Sequence, residues 1–476
     1  MTLPPSDRLP LRIKLGNGFG SVAYGVKDNG FATFLMIFYN QVLGLDAGLV
    51  GLMLLFALLL DALIDPMVGY ASDMTHSRWG KRHPWMYAAI LPMAGAWLML
   101  WHPPAWEPGA LLAYLLLFAF LLRAAVSCFE IPGLSVVPGL TSDYDERTSI
   151  TRWRFVFGWA GGLLLMTLAF SLFLVPTPDY PVGLLNVEGY HLYGWVGAGM
   201  MIVATSVSAL TTHRRIAALA SQPPVHLPLR ATLAKLKVTL SNRAFLVLIG
   251  GTLFAFINQG VAFSATSYLL SLYWLMPQSG FLAYSGSLFV GVVGAFVLVG
   301  AIQQRVEKRT GAVVTGSLAL LVAAAPYVLR MAGLFPLPGD PVLIPLLFGL
   351  VTISNGLAVA AMMLAQSMAT DVVEASQAET GERSEGIFFS AYFFTQKCAT
   401  GFGLFLTGLI ISFAGIPAQA RPGEVDPAIV DRFALYFLIL LVSLSAASIA
   451  FIARFPISRA DHQARLAQLA AARPVG

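Results

Sequence analysis

Hydrophobic positions along this chain come in long blocks rather than alternating with polar ones. Twelve runs of about 20 mostly apolar residues are separated by short polar or Pro/Gly-rich breaks. Their centres fall near Leu35, Leu55, Met93, Leu116, Leu164, Val203, Phe254, Val293, Leu320, Leu350, Leu404 and Leu440. Each run is long enough to cross the hydrocarbon core of a bilayer as a helix, so the pattern predicts an all-α protein with 12 transmembrane helices. The first dozen residues are polar and Pro-rich, and the first apolar run exceeds the length of a signal-peptide core, so the first helix is expected to remain in the mature protein.

Composition agrees: 57% of the 476 residues are hydrophobic and only 11% are charged, proportions that belong to an integral membrane protein. The net charge of +5 is distributed by loop rather than gathered into a nucleic-acid face. Basic residues crowd the breaks after even-numbered spans (Arg78, Lys81 and Arg82; Arg147 and Arg152; Arg214, Arg215 and Arg243; Lys308 and Arg309), while the opposite breaks hold only Arg330, Arg421 and Arg432. Under the positive-inside rule both termini are expected in the cytoplasm, with the protein in a bacterial inner membrane. Cys128 and Cys398 sit in apolar runs at no metal-site spacing, so no redox framework and no cofactor is expected.

The longest polar connection, Thr211 to Arg243, divides the spans six and six. The expected organisation is an N-terminal six-helix bundle over 1–212, a cytoplasmic linker over 213–243, a C-terminal bundle over 244–456 and a tail over 457–476. A weak internal echo supports two related halves, since "GYASDMTHSRWGKRHP" follows the second span and "GAIQQRVEKRTG" the eighth.

Ionisable residues inside the spans are costly and mark candidate function. They are Lys27 and Asp28 in the first helix, Asp61 and Asp65 in the second, Arg123 and Glu130 in the fourth, Arg154 in the fifth and Lys397 in the eleventh. Residues four apart on a helix lie about 40° round and residues seven apart about 20°, so Asp61 and Asp65 share a face, as do Arg123 and Glu130. Two carboxylates facing one space call for a proton, a metal cation or a nearby basic group, which is the chemistry of ion coupling. Arg123 has two readings, as a substrate ligand or as the charge that neutralises Glu130. No nucleophile elbow, His-rich metal pattern or nucleotide-binding glycine loop is present, which argues against an enzyme or an ATP-driven pump.

Three stretches carry a family resemblance: "DALIDPMVGYASDMTHSRWGKRHPW", "FEIPGLSVVPGLTSDYDERTSITRWRF" and "DVVEASQAETGERSEGIFFSAYFFTQKC". Together they resemble the glycoside-pentoside-hexuronide:cation symporters of the major facilitator superfamily. That resemblance implies two pseudo-symmetric six-helix bundles, alternating access, and symport of a glycoside or related sugar or sugar acid with H⁺ or Na⁺. It implies a coupling site of Asp61, Asp65, Glu130, Ser127 and Lys397, with Na⁺ possible at Asp61 and Asp65. It implies substrate contacts from Glu130 and Arg154 and places Leu134 and Met362 at the substrate, while Lys27, Asp28 and Arg123 are further candidates for the same cavity from their place in the spans. Gating charges are expected at Asp73, Arg78 and Lys81 after the second helix and at Arg383 and Glu385 before the eleventh. The partners implied are a small-molecule substrate and membrane lipid, and nothing in the sequence requires more than a monomer.

The departures are informative. Between the two acids the family carries an amide, here Ile64, which weakens a Na⁺ cage and leans towards H⁺. The family's helix-one acid falls near Gly25, with Lys27 and Asp28 about one turn away as substitutes. Tryptophans that pack sugar faces are replaced by Leu134 and Met362, which keeps open an amphiphilic substrate such as the lysolipids carried by animal members of the same branch.

Overall fold

A computed structural model describes residues 9–141, 143–217, 242–380 and 385–457. Among them there is no strand. Ten helices are long and apolar enough to cross a membrane. The two other expected spans are present in less uniform form. One is α5 (His83–Trp101), whose prolines and tryptophans dilute its hydropathy. The other is the first, a rod built from α1 (Leu11–Phe19), α2 (Ser21–Asn29), a π-helical turn Gly30–Phe34, α3 (Leu35–Ile37) and a second π turn Phe38–Val42.

The remaining helices are α4 (Ala47–Met74), α6 (Pro108–Leu140), α7 (Tyr144–Leu168), α8 (Val187–Ala217), α9 (Arg243–Tyr268), α10 (Gln278–Arg305), α11 (Lys308–Met331), α12 (Leu343–Thr380), α13 (Glu385–Ala414) and α14 (Pro427–Ile452). The chain groups into two compact units, one of residues 1–225 with 404–425, the other of 226–403 with 426–476.

In the first unit the first rod packs on α7 and α8 and reaches α5 through its aromatic side chains. Its core is aromatic: Phe34 and Phe38 meet Trp101, Tyr190 and Tyr193, and Trp101 stacks on Tyr190 with centroids 5.9 Å apart. Buried polar edges of these rings are satisfied by backbone, the Trp97 indole N–H donating to Gly194 O at 3.0 Å and the Tyr39 hydroxyl to Leu100 O at 3.0 Å. Close helix contact is set by glycine: a Cβ added at Gly25 would lie 1.8 Å from Gly158 O, so α2 and α7 touch backbone to backbone.

The second unit repeats these devices. A Cβ at Gly403 would meet Ile257 O at 2.4 Å, which seats α13 on α9. Phe245, Leu248, Ala295, Leu364, Met368 and Val372 form its apolar core. Helix α9 also ends as the first rod does, in a π turn, Leu269–Tyr273. In the first rod the N–H of Leu43 reaches Phe38 O and that of Leu45 reaches Tyr39 O, both at 3.0 Å; at the end of α9 Trp274 reaches Leu269 O and Met276 reaches Leu270 O, both at 2.8 Å. The left-handed residue that completes the turn is Gly44 (φ +81°) in one unit and Leu275 (φ +47°) in the other.

Candidate functional site

The charged residues of the first unit converge because three helices each carry them on one stripe. On α4, Asp61, Asp65, Val68 and Ser72 fall within about 60° of one another. Phe56, Leu60, Leu63, Met67, Tyr70 and Met74 are all exposed on the opposite face. Helix α4 therefore turns an apolar side outward and its acids inward, onto α6. Pro66 follows Asp65 directly and removes the N–H that Ala62 O would otherwise receive, loosening the helix at the acid.

On α6, Arg123, Ser127, Glu130 and Leu134 form a second stripe, again within about 60°. Exposure rises along it, from 4% at both Arg123 and Ser127 to 20% at Glu130 and 49% at Leu134. On α2, Tyr24, Lys27 and Asp28 lie together, with Phe31 one turn on in the π turn.

The two acids of α4 meet the stripe of α6 at its buried end. Asp61, 2% exposed, accepts on Oδ2 from Arg123 Nε at 2.9 Å and from a terminal guanidinium nitrogen of the same arginine at 2.7 Å. The Ser127 hydroxyl lies 3.0 Å from Asp61 Oδ1 and 2.7 Å from Asp65 Oδ1, bridging the acids. The Arg123 guanidinium also sits 5.1 Å from the Phe31 ring centroid, a cation–π contact.

At the more open end Glu130 pairs with Arg154 of α7, whose other terminal nitrogen reaches Asn17 Oδ1 at 3.4 Å. Arg123 thus neutralises Asp61 and not Glu130, which corrects the same-helix pairing considered from sequence. Spacing on one helix cannot rank partners offered by neighbouring helices. Lys27 is 2% exposed, lies 4.1 Å over the Tyr24 ring and reaches Asp28 at 3.2 Å, while Asp28 is 59% exposed. Gly25 is no vacant acid position, since the space its side chain would need is filled by α7. Asp28 is the open carboxylate of this helix.

Three cations (Lys27, Arg123, Arg154) and four carboxylates (Asp28, Asp61, Asp65, Glu130) lie on α2, α4, α6 and α7 of the first unit. Sequence reasoning missed Asn17, Tyr24 and Phe31. The signal for Asn17 was a single amide in "KLGNGFG". Its side chain is wholly buried, and its Nδ2 has no partner among the described residues.

The gating residues sort differently from expectation. Asp73 pairs with Arg82, which also donates to Ser72, while Arg78 lies 5.5 Å from the Trp79 ring. Lys81 is half-buried in the same loop. Arg82 has its pKa pulled down by burial and pushed back by Asp73. Arg383 lies outside the described residues, and Glu385 is described only as the first residue of α13.

In the second unit Lys397 is half-buried on α13, and Met362 of α12 packs against Phe256, Tyr392 and Ala399. Asn258 bonds Ser445 at 3.2 Å and Asn355 bonds Leu288 O at 3.3 Å, so both tie helices together. Lys308, in the stretch that echoes the second-span loop, pairs with Asp371 at 2.6 Å.

Comparison with known proteins places this geometry in a family. The family model described as MFS/sugar transport protein matches residues 16–459. An uncharacterised symporter of Synechocystis is 27% identical over 96% of each chain, and a glucuronide carrier protein homolog of Escherichia coli is 27% identical over 90% of each. The sodium-dependent lysophosphatidylcholine symporter 1 of Gallus gallus is 25% identical over 89% of this chain and 85% of its own. A bacterial homolog of the human lysosomal transporter Spinster, solved inward-facing and unoccupied, matches with TM-score 0.67 at 15% identity over 98% of this chain and 99% of that one, a likeness of fold alone. With its charged cluster held among membrane-spanning helices and its match to the family over nearly the whole chain, this protein is a membrane transporter of the MFS/sugar transport family.

Proposed function

We propose that the protein is a cation-coupled symporter of a glycoside or related sugar, working by alternating access of two six-helix halves, 1–212 and 244–456, with both termini in the cytoplasm. The observation that carries the reading is the pair of carboxylates Asp61 and Asp65 on one face of a membrane-spanning helix, bridged by the Ser127 hydroxyl and met by Arg123. In this mechanism ion binding at Asp61 and Asp65 permits substrate to bind. Glu130 and Arg154 offer acceptors and donors to sugar hydroxyls, Asn17 holds Arg154 in place, and Lys27 with Asp28 supplies a further polar edge. Lys397 is assigned, from the resemblance, the charge that alternates with the coupling cation. Asp73 with Arg82 and Lys308 with Asp371 are assigned to the gating loops, one pair in each unit.

A second reading keeps the same coupling and changes the cargo to a lysolipid or other amphiphile. It is favoured by Leu134, which lies half-exposed at the open end of the α6 stripe where an aromatic platform for a sugar would be expected.

Both readings are tested in liposomes loaded with a pH-sensitive dye and challenged with glycosides, uronides and lysolipids, with and without Na⁺. Asp65→Asn removes charge while keeping volume. It is expected to abolish gradient-driven accumulation of the active substrate while leaving the fold intact by circular dichroism. Accumulation at the wild-type level in that variant sinks the coupling role.

A further inference from the structure

The three cations on α2, α6 and α7 are withdrawn from solvent, whereas two of the carboxylates they meet are not. Lys27, Arg123 and Arg154 are 2%, 4% and 5% exposed. Each is committed within the unit: Lys27 to the Tyr24 ring and Asp28, Arg123 to Asp61 and the Phe31 ring, Arg154 to Glu130 and Asn17. Asp61 is as buried as its arginine, but Glu130 is 20% exposed and Asp28 59%. The charge that these helices offer to an incoming solute is therefore carboxylate, with the ammonium and guanidinium groups lying behind it.

Helix α2 sets this order. Tyr24, Lys27 and Asp28 stand at i, i+3 and i+4, on one side of the helix. The Lys27 ammonium lies 4.1 Å over the Tyr24 ring, which leaves the short Asp28 side chain outermost. Tyr24 is within electrostatic reach of Asp28, Arg123, Glu130 and Asp61, so it marks where the charges of three helices converge. It is partly exposed, and its hydroxyl makes no hydrogen bond among the described residues and is not sealed from solvent. The open groups are thus two carboxylates, which only accept, and one neutral hydroxyl, which donates and accepts. Sugar hydroxyls answer both, donating charge-assisted bonds to Asp28 and Glu130 and accepting from Tyr24. An anionic group on the cargo would instead approach two like charges while every nearby cation is buried against another partner.

We propose that Asp28, displayed above the buried Lys27 and beside the Tyr24 hydroxyl, is a specificity-determining residue that restricts the cargo to neutral glycosides and rejects their uronic-acid counterparts. This rests on the symporter reading for its meaning in transport, whereas the selectivity itself is read from binding.

Binding to the purified full-length protein is measured by isothermal titration at pH 7 with methyl glucosides, galactosides and xylosides, with the matching methyl uronides, and with the uronamides, which keep the shape of the acid and lose its charge. At least one neutral glycoside is expected to bind, and the amide of its series is expected to bind at least about ten-fold more tightly than the acid. Asp28→Asn, which removes the charge and keeps the volume, is expected to shrink that ratio to about three-fold or less, and Asp28→Glu to retain it. An acid that binds the wild type as tightly as its amide overturns the proposal, as does an unchanged ratio in folded Asp28→Asn. Binding of lysophosphatidylcholine with no neutral glycoside bound, or no binding by any of these ligands, overturns it equally. If Asp28→Asn does not fold, the wild-type and Asp28→Glu ratios decide. Uptake into liposomes separates the two readings: ion-coupled uptake of a uronide in preference to its amide keeps the symporter and discards the selectivity, whereas the expected binding ratios without ion-coupled uptake discard the symporter and leave the selectivity standing.

Discussion

The Arg123–Asp61 pair lends itself to a double-mutant cycle whose size can be worked out beforehand. With the nearest N···O distance at 2.7 Å, the charge centres are about 4 Å apart, and at an effective dielectric of about 20 the attraction is about 4 kcal/mol. Both side chains are almost wholly buried, so little solvent screening reduces this. Removing either partner alone takes away the opposite charge that the other faces in a buried position, at a cost of about 3–5 kcal/mol, whereas removing both takes the pair out together. Arg123→Gln and Asp61→Asn should therefore each destabilise strongly, the double variant should recover most of the loss, and the coupling energy should be about 3 kcal/mol. Lys27 and Asp28 make the internal control. Their contact is 3.2 Å, but Asp28 is 59% exposed, so their coupling should stay below about 1 kcal/mol. Equilibrium unfolding in mixed micelles, read by tryptophan fluorescence, gives all the values on one scale. A coupling at the inner pair no larger than at the outer one would refute the reasoning that burial makes the Arg123–Asp61 pair the stronger of the two.

Two further predictions concern the scaffold. Gly25→Ala drives a methyl into the backbone of α7, where no side chain can move aside, and should cost at least about 3 kcal/mol; loss of folded protein on size-exclusion chromatography checks it, and a well-folded variant would mean the helices separate more easily than the 1.8 Å approach allows. Leu275→Gly relieves a left-handed backbone at φ +47° and should be neutral or stabilise by up to about 1 kcal/mol, while Gly44→Leu, at the matching turn of the other unit, should destabilise by a similar amount; thermal melts compare the two.

Much of the fold was legible because spanning a membrane leaves the sequence few choices. Runs of about 20 apolar residues can only be helices there, and the spans follow from their lengths. The shape of the first span was not legible, because hydropathy is insensitive to whether a turn closes after four residues or five. The site was legible in its acids: Asp61 and Asp65 stand out against "LLLDALIDP", and their spacing puts them on one face. Who answers them was not. Arg123 matches Glu130 by position on α6, yet Asp61 on α4 and Arg154 on α7 come closer in space and rearrange the pairs. The same holds for Asp73, whose partner is Arg82 and not the Arg78 or Lys81 of the expected gating set. Gly25 marked an alignment position without revealing that its face was occupied by backbone.

The π turn at Gly30–Phe34 acts as one residue inserted into a helix that nevertheless stays whole. An uninterrupted α-helix fixes the phase of its far end once its near end is set, by about 100° per residue. The first rod escapes that constraint. Tyr24, Lys27 and Asp28 are phased to the charges of α4 and α6, while Phe34 at the end of the turn and Phe38 beyond it are phased to the aromatic rings of α5 and α8. Neither end dictates the angle of the other, so substitutions that repack the aromatic end need not rotate the ligands at the charged end. The turn is a splice between two separately adjustable halves of one helix.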